Sequence, residues 1–488
     1  MNKTTLLVPS RRGRLEERAL EGQGSSGPAQ WAREEFRQAP LPDQRLVKRL
    51  MLMATDFAQH PTAPIPQACG SWCKTKAAYR FFDNDAVQPQ AILEAHVGAT
   101  VQRLQSHPVV LCVQDTTTLN YSTHPRSRGL GPISNNRDKT LGLLLHTTLA
   151  LTPTGQPLGL LQARSWARST HTFGRSSNAR NRTPRDQKES QKWMDSLLAC
   201  QCLAGRCPQT RLVNLADREG DLYDLFQQAL APTAGPPVHL LVRAQHNRQV
   251  AHPQKYLWDY LADQRSCAEL KVQVPRKAAA PARLAILTIR FGRLTLRPPC
   301  LKESQAPLTL WAVEAREVRP PRGAAPICWR LLTTLPVETV EAAVEKVRWY
   351  AQRWVIEVLH KVLKSGCQIE QRQLESAARL QRVLMLDLIV AWRVLALCRA
   401  AREMPEALAS EWLAEAEWRA LWCYMNRRTK SPPCAPTVRL VVRWIAQLGG
   451  FLGRARDGEP GPIVLWRGLQ QLRAITAAWK RFGHENCG

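Results

Sequence analysis

No run of about 18 or more apolar residues occurs in this chain, so no membrane-spanning helix is expected. The N-terminal stretch MNKTTLLVPSRRGRLEERALEGQGSSGPAQ has too short an apolar segment for a signal peptide and reads as a basic, Gly/Ser-rich tail. No internal repeat is visible, which speaks against a solenoid. The 14 cysteines lack a framework of spacings, and Cys200, Cys202 and Cys207 in CQCLAGRC have no second Cys/His pair at finger spacing. Free thiols in a reducing compartment are therefore expected rather than disulfides or a structural zinc.

Acids are scarce. Asp and Glu number 40 against 68 Lys and Arg, leaving a net charge of +28 and a pI near 10.1. The basic residues are 52 Arg and 16 Lys. Abundant Ala, Pro and Leu suggest a GC-rich coding bias, but bias alone does not explain so large an excess over the acids. The economical partner is a polyanion, nucleic acid first, because the arginine fork binds phosphate through two donors.

At 488 residues and 44% hydrophobic content the chain can form about two to four domains with a sizeable core. Helical spacing marks residues 30–60, interrupted by Pro40 and Pro42, and mixed helix continues over 72–104. PVVLCVQD (108–115) reads as a strand that ends in an acid. LGLLLHTTLALTPTGQPLGLLQARSWA then gives strand, turn and strand. A basic loop at 162–188 precedes a helix near 189–204, the strand TRLVNLAD (210–217) and a helix opening at REGDLYDLF. From about 236 to 337, strand-like runs alternate with Gly and Pro. A helix over about 339–365 follows, and after 375 the chain reads as helical with a break at KSPPCAP (430–436).

Three acids stand out. Asp115 and Asp217 close the strands VVLCVQD and LVNLAD. An acid at the carboxyl end of a strand points into the crevice where α/β sheets bind ligands, although Asp is also a common helix N-cap. Glu357 lies in YAQRWVIEVLHKVLK (350–364). On one continuous helix, Tyr350, Arg353, Glu357, His360 and Lys364 share an arc of about 80°, while Val347, Ala351, Trp354, Val358 and Val362 form the adjoining apolar arc. The plain reading of that polar arc is a solvated salt-bridge face. In company with Asp115 and Asp217, one acid beside a phenol and basic groups also suits a metal and a phosphate. Three carboxylates can bind two divalent cations, with Mg²⁺ the natural ion. The element order matches an RNase H-like sheet, whose acids come from the first strand, a later strand and a final helix.

The pattern Tyr-x2-Arg-x3-Glu-x6-Lys at Tyr350, Arg353, Glu357 and Lys364 resembles the signature of a family of bacterial insertion-sequence transposases, cut-and-paste enzymes with an Asp-Asp-Glu core. QDTTTLNYS is similar to that family's first-Asp segment and ADREGDLYDLF to its second. GSWCKTKAAYRFFDN (70–84), ICWRLLTTLPVE and VVRWIAQLGGF (441–451) resemble its N-terminal segment, the end of its insert and its C-terminal domain. The likeness covers nearly all of 30–480 in the family's order. Two departures are visible: the 162–188 loop is basic rather than acidic, and the first 28 residues have no counterpart.

The resemblance implies an α/β fold with an RNase H-like catalytic core interrupted by a β-rich insert and flanked by helical N- and C-terminal domains. The implied boundaries are a disordered basic tail at 1–28, a DNA-end recognition domain at 29–88 and the core at 89–235 and 339–375, with the insertion at 236–338 and a dimerisation domain at 376–488. It implies Asp115, Asp217 and Glu357 as catalytic metal ligands for Mg²⁺, with Mn²⁺ able to substitute. Tyr350, Arg353 and Lys364 would grip phosphates, Trp329 would stack on a flipped base, and Arg243 and His246 would contact DNA. For Trp329 the plainer assignment is a strand core residue.

The implied reaction is two-metal phosphoryl transfer. Water cleaves at the element's end, the 3′-OH closes a hairpin on the opposite strand, and the reopened 3′-OH attacks target DNA. The implied partners are duplex DNA, as terminal inverted repeats and target, and a second copy of the chain on paired ends, in a bacterial cytoplasm and at the nucleoid when DNA-bound. A structure-selective nuclease and a domesticated DNA-binding regulator are the alternatives. A small-molecule phosphatase does not account for the charge.

Overall fold

The computed structural model describes residues 27–134, 140–169, 188–251, 254–274, 283–300, 304–323, 325–454 and 457–482. The tail expected at 1–28 lies almost wholly outside the described residues, as does most of the basic 162–188 loop. The chain groups into two compact units: one holds the residues up to His96 with Val362–Arg372 and Arg379–Gly488, the other Val97–Lys361 with Gln373–Ala378.

The first unit begins with α1 (Pro28–Phe36), α2 (Gln44–Gln59), α3 (Ile65–Cys69), α4 (Trp72–Asp83) and the start of α5 (Pro89–Leu104). Their boundaries follow from capping chemistry. The Asp43 carboxylate accepts from Arg45 N at 2.7 Å at the start of α2, and Ser71 caps α4 through Lys74 N.

The second unit is built on a sheet of 12 strands. These are β1 (Val109–Asn120), β2 (Gly131–Pro132), β3 (Leu141–Leu151), β4 (Pro157–Trp166), β5 (Arg211–Ala216), β6 (His239–Arg243), β7 (Gln249–Val250), β8 (Lys255–Tyr256), β9 (Ala268–Val274), β10 (Arg283–Leu296), β11 (Leu308–Glu317) and β12 (Cys328–Thr333). β4, β3 and β1 run as an antiparallel meander, and β5 and β6 continue parallel to β1. That order is consistent with an RNase H-like core. The strands from 236 onward form no sheet of their own: β6 pairs with β5, and β12, β11 and β10 extend the same sheet antiparallel beyond it.

Helices α6 (Gln191–Ala204), α7 (Tyr223–Leu230), α8 (Leu257–Asp263), α9 (Val340–Ala351) and α10 (Trp354–Lys361) pack on this sheet. α6 lies against β1, β3, β4 and β5, and α10 against β1. β3 is buried over nearly its whole length, which fits its near-continuous apolar sequence LGLLLHTTLAL.

The chain returns to the first unit through a π-helical turn (Val362–Gly366) and α11 (Ala377–Glu403), followed by α12 (Glu415–Asn426), α13 (Val438–Leu448) and α14 (Pro462–Phe482). Buried Arg372 pairs with Asp387 through two hydrogen bonds of 2.8 and 2.9 Å and donates to Ala63 O at 2.7 Å. Arg382 closes the loop after α4 by donating to Phe82 O and Val87 O. These contacts satisfy carbonyls that burial would otherwise strand.

Three expectations change. The C-terminal helices are interrupted at 404–414 and 449–461 as well as at the proline-rich 430s. The segment 350–364 is not one helix: α9 ends at Ala351, α10 starts at Trp354, and π geometry takes over at Val362. Finally, Asp115 does not close its strand. β1 continues to Asn120 because the β-branched Thr116, Thr117 and Thr118 keep pairing with β3.

Among the described residues every cysteine is free. No helix among them is long and apolar enough to cross a membrane.

Candidate active site

Strand register brings the two aspartates together. β1 and β5 are parallel neighbours, with Val113 opposite Leu215 as the last pair. Two residues further along each chain stand Asp115 and Asp217, and a step of two returns a side chain to the same face. Asp217 also caps the short 3₁₀ turn Arg218–Gly220, its carboxylate accepting from Glu219 N at 2.9 Å. The N-cap weighed for this residue in the sequence is therefore realised. Glu357 is on α10, which packs on β1, and it bonds to the Arg353 guanidinium that stands 3.9 Å from Asp115 Oδ2.

The electrostatics show the three acids acting on one another. Burial raises the Asp115 carboxyl to about 6, Arg353 opposes this, and Asp217 and Glu357 add to the rise. Arg353 is the counter-charge. Its guanidinium donates to Glu357 Oε1 at 2.5 Å and stands 3.9 Å from Asp115 Oδ2. Burial works against the Arg353 charge, but Tyr350, Asp115, Glu357 and Asp217 together raise its pKa.

Among the described residues no group of three or more His, Cys, Asp or Glu side chains stands ready to hold a metal ion. The donor chemistry nevertheless suits one. Three carboxylates are hard oxygen ligands of the kind Mg²⁺ and Mn²⁺ take, and like charges gathered in a buried place call for a cation. Here Arg353 pairs with Glu357, which gives one of the three acids a counter-charge.

Tyr350 is buried, and that burial raises its hydroxyl pKa. Trp329 is also buried, and its ring meets Tyr350 edge-to-face at 5.4 Å. Arg243 is half-buried and donates to Cys328 O at 2.9 Å. His246 is exposed, and its backbone N–H donates to Asp221 at 2.9 Å. Lys364 lies in the π-helical turn of the other unit, so the helical wheel drawn through 364 does not describe it.

Two histidines carry weight here: His360, already on the polar arc of 350–364, and His146, which the sequence did not signal. His360 Nδ1 stands 3.9 Å from Asp115 Oδ2, and its Nε2 pairs with Thr147 Oγ1 at 2.8 Å, opposite Asp115 on β3. Buried His146 bonds to Thr116 Oγ1 at 2.9 Å and Gln114 Oε1 at 3.1 Å. Burial lowers its pKa to about 3, so it is neutral. Together these bonds hold β1 on both sides of Asp115. A single histidine in an apolar run announces no such role.

The sheet order is consistent with an RNase H-like core, with Asp115 and Asp217 on neighbouring parallel strands. The family comparisons give the class. A family model described as Transposase DNA-binding matches residues 28–87, one described as Transposase DDE domain matches 162–393, and one described as Transposase Tn5 dimerisation domain matches 389–484. The chain thus carries transposase DNA-binding, DDE and dimerisation domains in that order, which supports a DDE transposase acting on DNA. Among solved structures, a piggyBac transposase synaptic complex with hairpin DNA aligns over 80% of this chain and 76% of that one, at 10% identity and a TM-score of 0.34. That likeness is too distant to carry any inference.

Proposed function

We propose that the protein cleaves DNA at the ends of an insertion sequence and joins the freed 3′-OH ends to target DNA, passing through a hairpin. What supports this reading is the placement of Asp115 and Asp217 on neighbouring parallel strands and of Glu357 on α10, bonded to the Arg353 that stands 3.9 Å from Asp115. These three would hold Mg²⁺, with Mn²⁺ as a substitute. Two such cations would neutralise charge on the attacking and leaving oxygens and lower the pKa of a bound water.

The chain's own residues do the rest. With a cation held by Glu357, Arg353 would be free to turn to a phosphate, where its fork makes charge-assisted bonds. Tyr350, Lys364, Arg243 and His246 add phosphate contacts. Trp329 takes an unpaired base only by parting from Tyr350. His360 and Thr147 hold Asp115 in line. Positioning and charge neutralisation supply the catalysis, with no covalent protein–DNA intermediate. The dimerisation match supports a pair of chains working together on paired ends.

A strand-transfer assay tests this. DNA carrying both ends of the element, incubated with a target plasmid and Mg²⁺, is expected to give joined products. Cutting without joining would replace the transposase with a structure-selective nuclease. Binding without cutting would leave a DNA-binding regulator.

A further inference from the structure

The segment that leaves β6 must find partners for its backbone, and it finds them on the turn that follows Asp217. Ala216 and Val242 are the last pair of the parallel strands β5 and β6, so Asp217 and Arg243 come next on neighbouring strand ends. Past Asp217 the chain makes its 3₁₀ turn, closed by Gly220 N on Asp217 O at 3.1 Å, and reaches Asp221. The Asp221 side chain has no solvent exposure. Past Arg243, residues 244–248 lead to β7. Asp221 grips that segment. Its Oδ2 accepts from Gln245 N at 2.7 Å and from His246 N at 2.9 Å, and its Oδ1 accepts from the Arg248 guanidinium at 2.7 Å. The same guanidinium donates to Asp221 O at 2.7 Å.

Two N–H groups alone do not call for a buried charge, since a neutral side-chain oxygen accepts from them equally well. A buried ion pair costs desolvation, which only close and well-directed bonds offset. What the pair adds is fixed geometry, with the arginine fork set against a carboxylate and a carbonyl at once. Each end of the arrangement is fixed in turn. The Asp217 carboxylate is held on its own turn by Glu219 N at 2.9 Å, and Arg243 is held on Cys328 O at 2.9 Å. Asp221 joins the turn of the first to the segment that follows the second. We propose that Asp221, locked by Arg248, is a positioning residue that makes one rigid ledge of Asp217 and Arg243, the acid for a cation and the arginine for a phosphate. It touches neither ligand itself. The assignment rests on the metal and phosphate roles proposed above for Asp217 and Arg243.

Mn²⁺ affinity tests it, measured on the full chain bound to an element-end duplex by electron paramagnetic resonance of the free ion, with the duplex's own sites subtracted. Asp217→Asn is the reference for a lost ligand. Asp221→Asn keeps an acceptor for the two N–H groups but removes the charge, and Arg248→Gln leaves the carboxylate without its lock. Each is expected to bind Mn²⁺ about tenfold more weakly than wild type, as loss of a group that orients a metal ligand does. The double variant Asp221→Asn/Arg248→Gln is expected to lose no more than either single variant, because both act through one pair. If Asp221→Asn does not fold, Arg248→Gln decides by the same criterion. Thermal midpoints that fall while Mn²⁺ affinity stays at the wild-type value would show a purely structural pair and overturn the proposal. Losses that add in the double variant overturn the lock by Arg248. A wild-type complex that holds no more Mn²⁺ than Asp217→Asn overturns the metal reading itself, and the ledge with it.

Discussion

Burial, with Asp217 and Glu357 nearby, raises Asp115 from 3.8 to about 6. The consequence for stability has a definite sign. A carboxyl whose pKa is raised on folding favours the folded state in its protonated form. That contribution is complete below the unfolded value and disappears as pH rises through the folded one. In chelator, the thermal midpoint of wild type should therefore fall relative to that of Asp115→Asn between about pH 4 and about pH 6, with the gap constant above. A gap that does not change with pH would contradict the placement of Asp115. The three acids were picked out in the sequence, two after apolar β-branched runs and one on the polar arc of 350–364, and their catalytic role is the proposal above. The partners of Asp115 were not. His360 and Thr147 meet it only through a strand pairing and a helix docking that no local pattern encodes.

Elements were legible where periodicity was strong and failed where geometry changed within a run. YAQRWVIEVLHKVLK has one helical pattern, yet the chain breaks at Gln352–Arg353 and again at Val362. Apolar spacing alone does not distinguish α from π turns. Similarly, β-branched Thr116, Thr117 and Thr118 allow the strand to run past Asp115, but only the register with β3 decides that it does. The α13–α14 pair gives a prediction at this scale. A Cβ at Gly468 would stand 1.7 Å from Ile445 O, and one at Gly449 1.9 Å from Val464 O, so only glycine permits the close approach. Gly468→Ala should cost about 1–3 kcal/mol in urea unfolding by forcing the helices apart. A loss below about 0.5 kcal/mol, the range of a neutral surface change, would show that the crossing is looser than described.

Charge is the property of the whole molecule that the sequence announced most plainly. A net charge of +28 commits the protein to a polyanion, and the transposase DNA-binding match says which. End binding should weaken steeply with salt, with a log–log slope of about −0.9 for each phosphate neutralised on duplex DNA. A nearly flat titration would contradict nucleic-acid binding altogether. The helical ends and the large sheet between them follow from patterning. The continuity of that sheet across 12 strands does not, because pairings such as β12 with β6 join segments far apart in the chain.

Everything catalytic proposed for this protein passes through Glu357, so the most direct measurement compares nicking of a labelled element end in Mg²⁺ with gel-shift affinity in Ca²⁺. Lys364→Ala, which would remove only the proposed phosphate contact, serves as the reference variant and should weaken binding by about 1–3 kcal/mol. Glu357→Ala and Glu357→Gln should both abolish nicking while end affinity stays near wild type, the amide failing because it keeps the shape but loses the charge. If Glu357 only forms a surface pair with Arg353, worth at most about 1 kcal/mol, both variants will cut at nearly the wild-type rate, and the catalytic assignment is wrong.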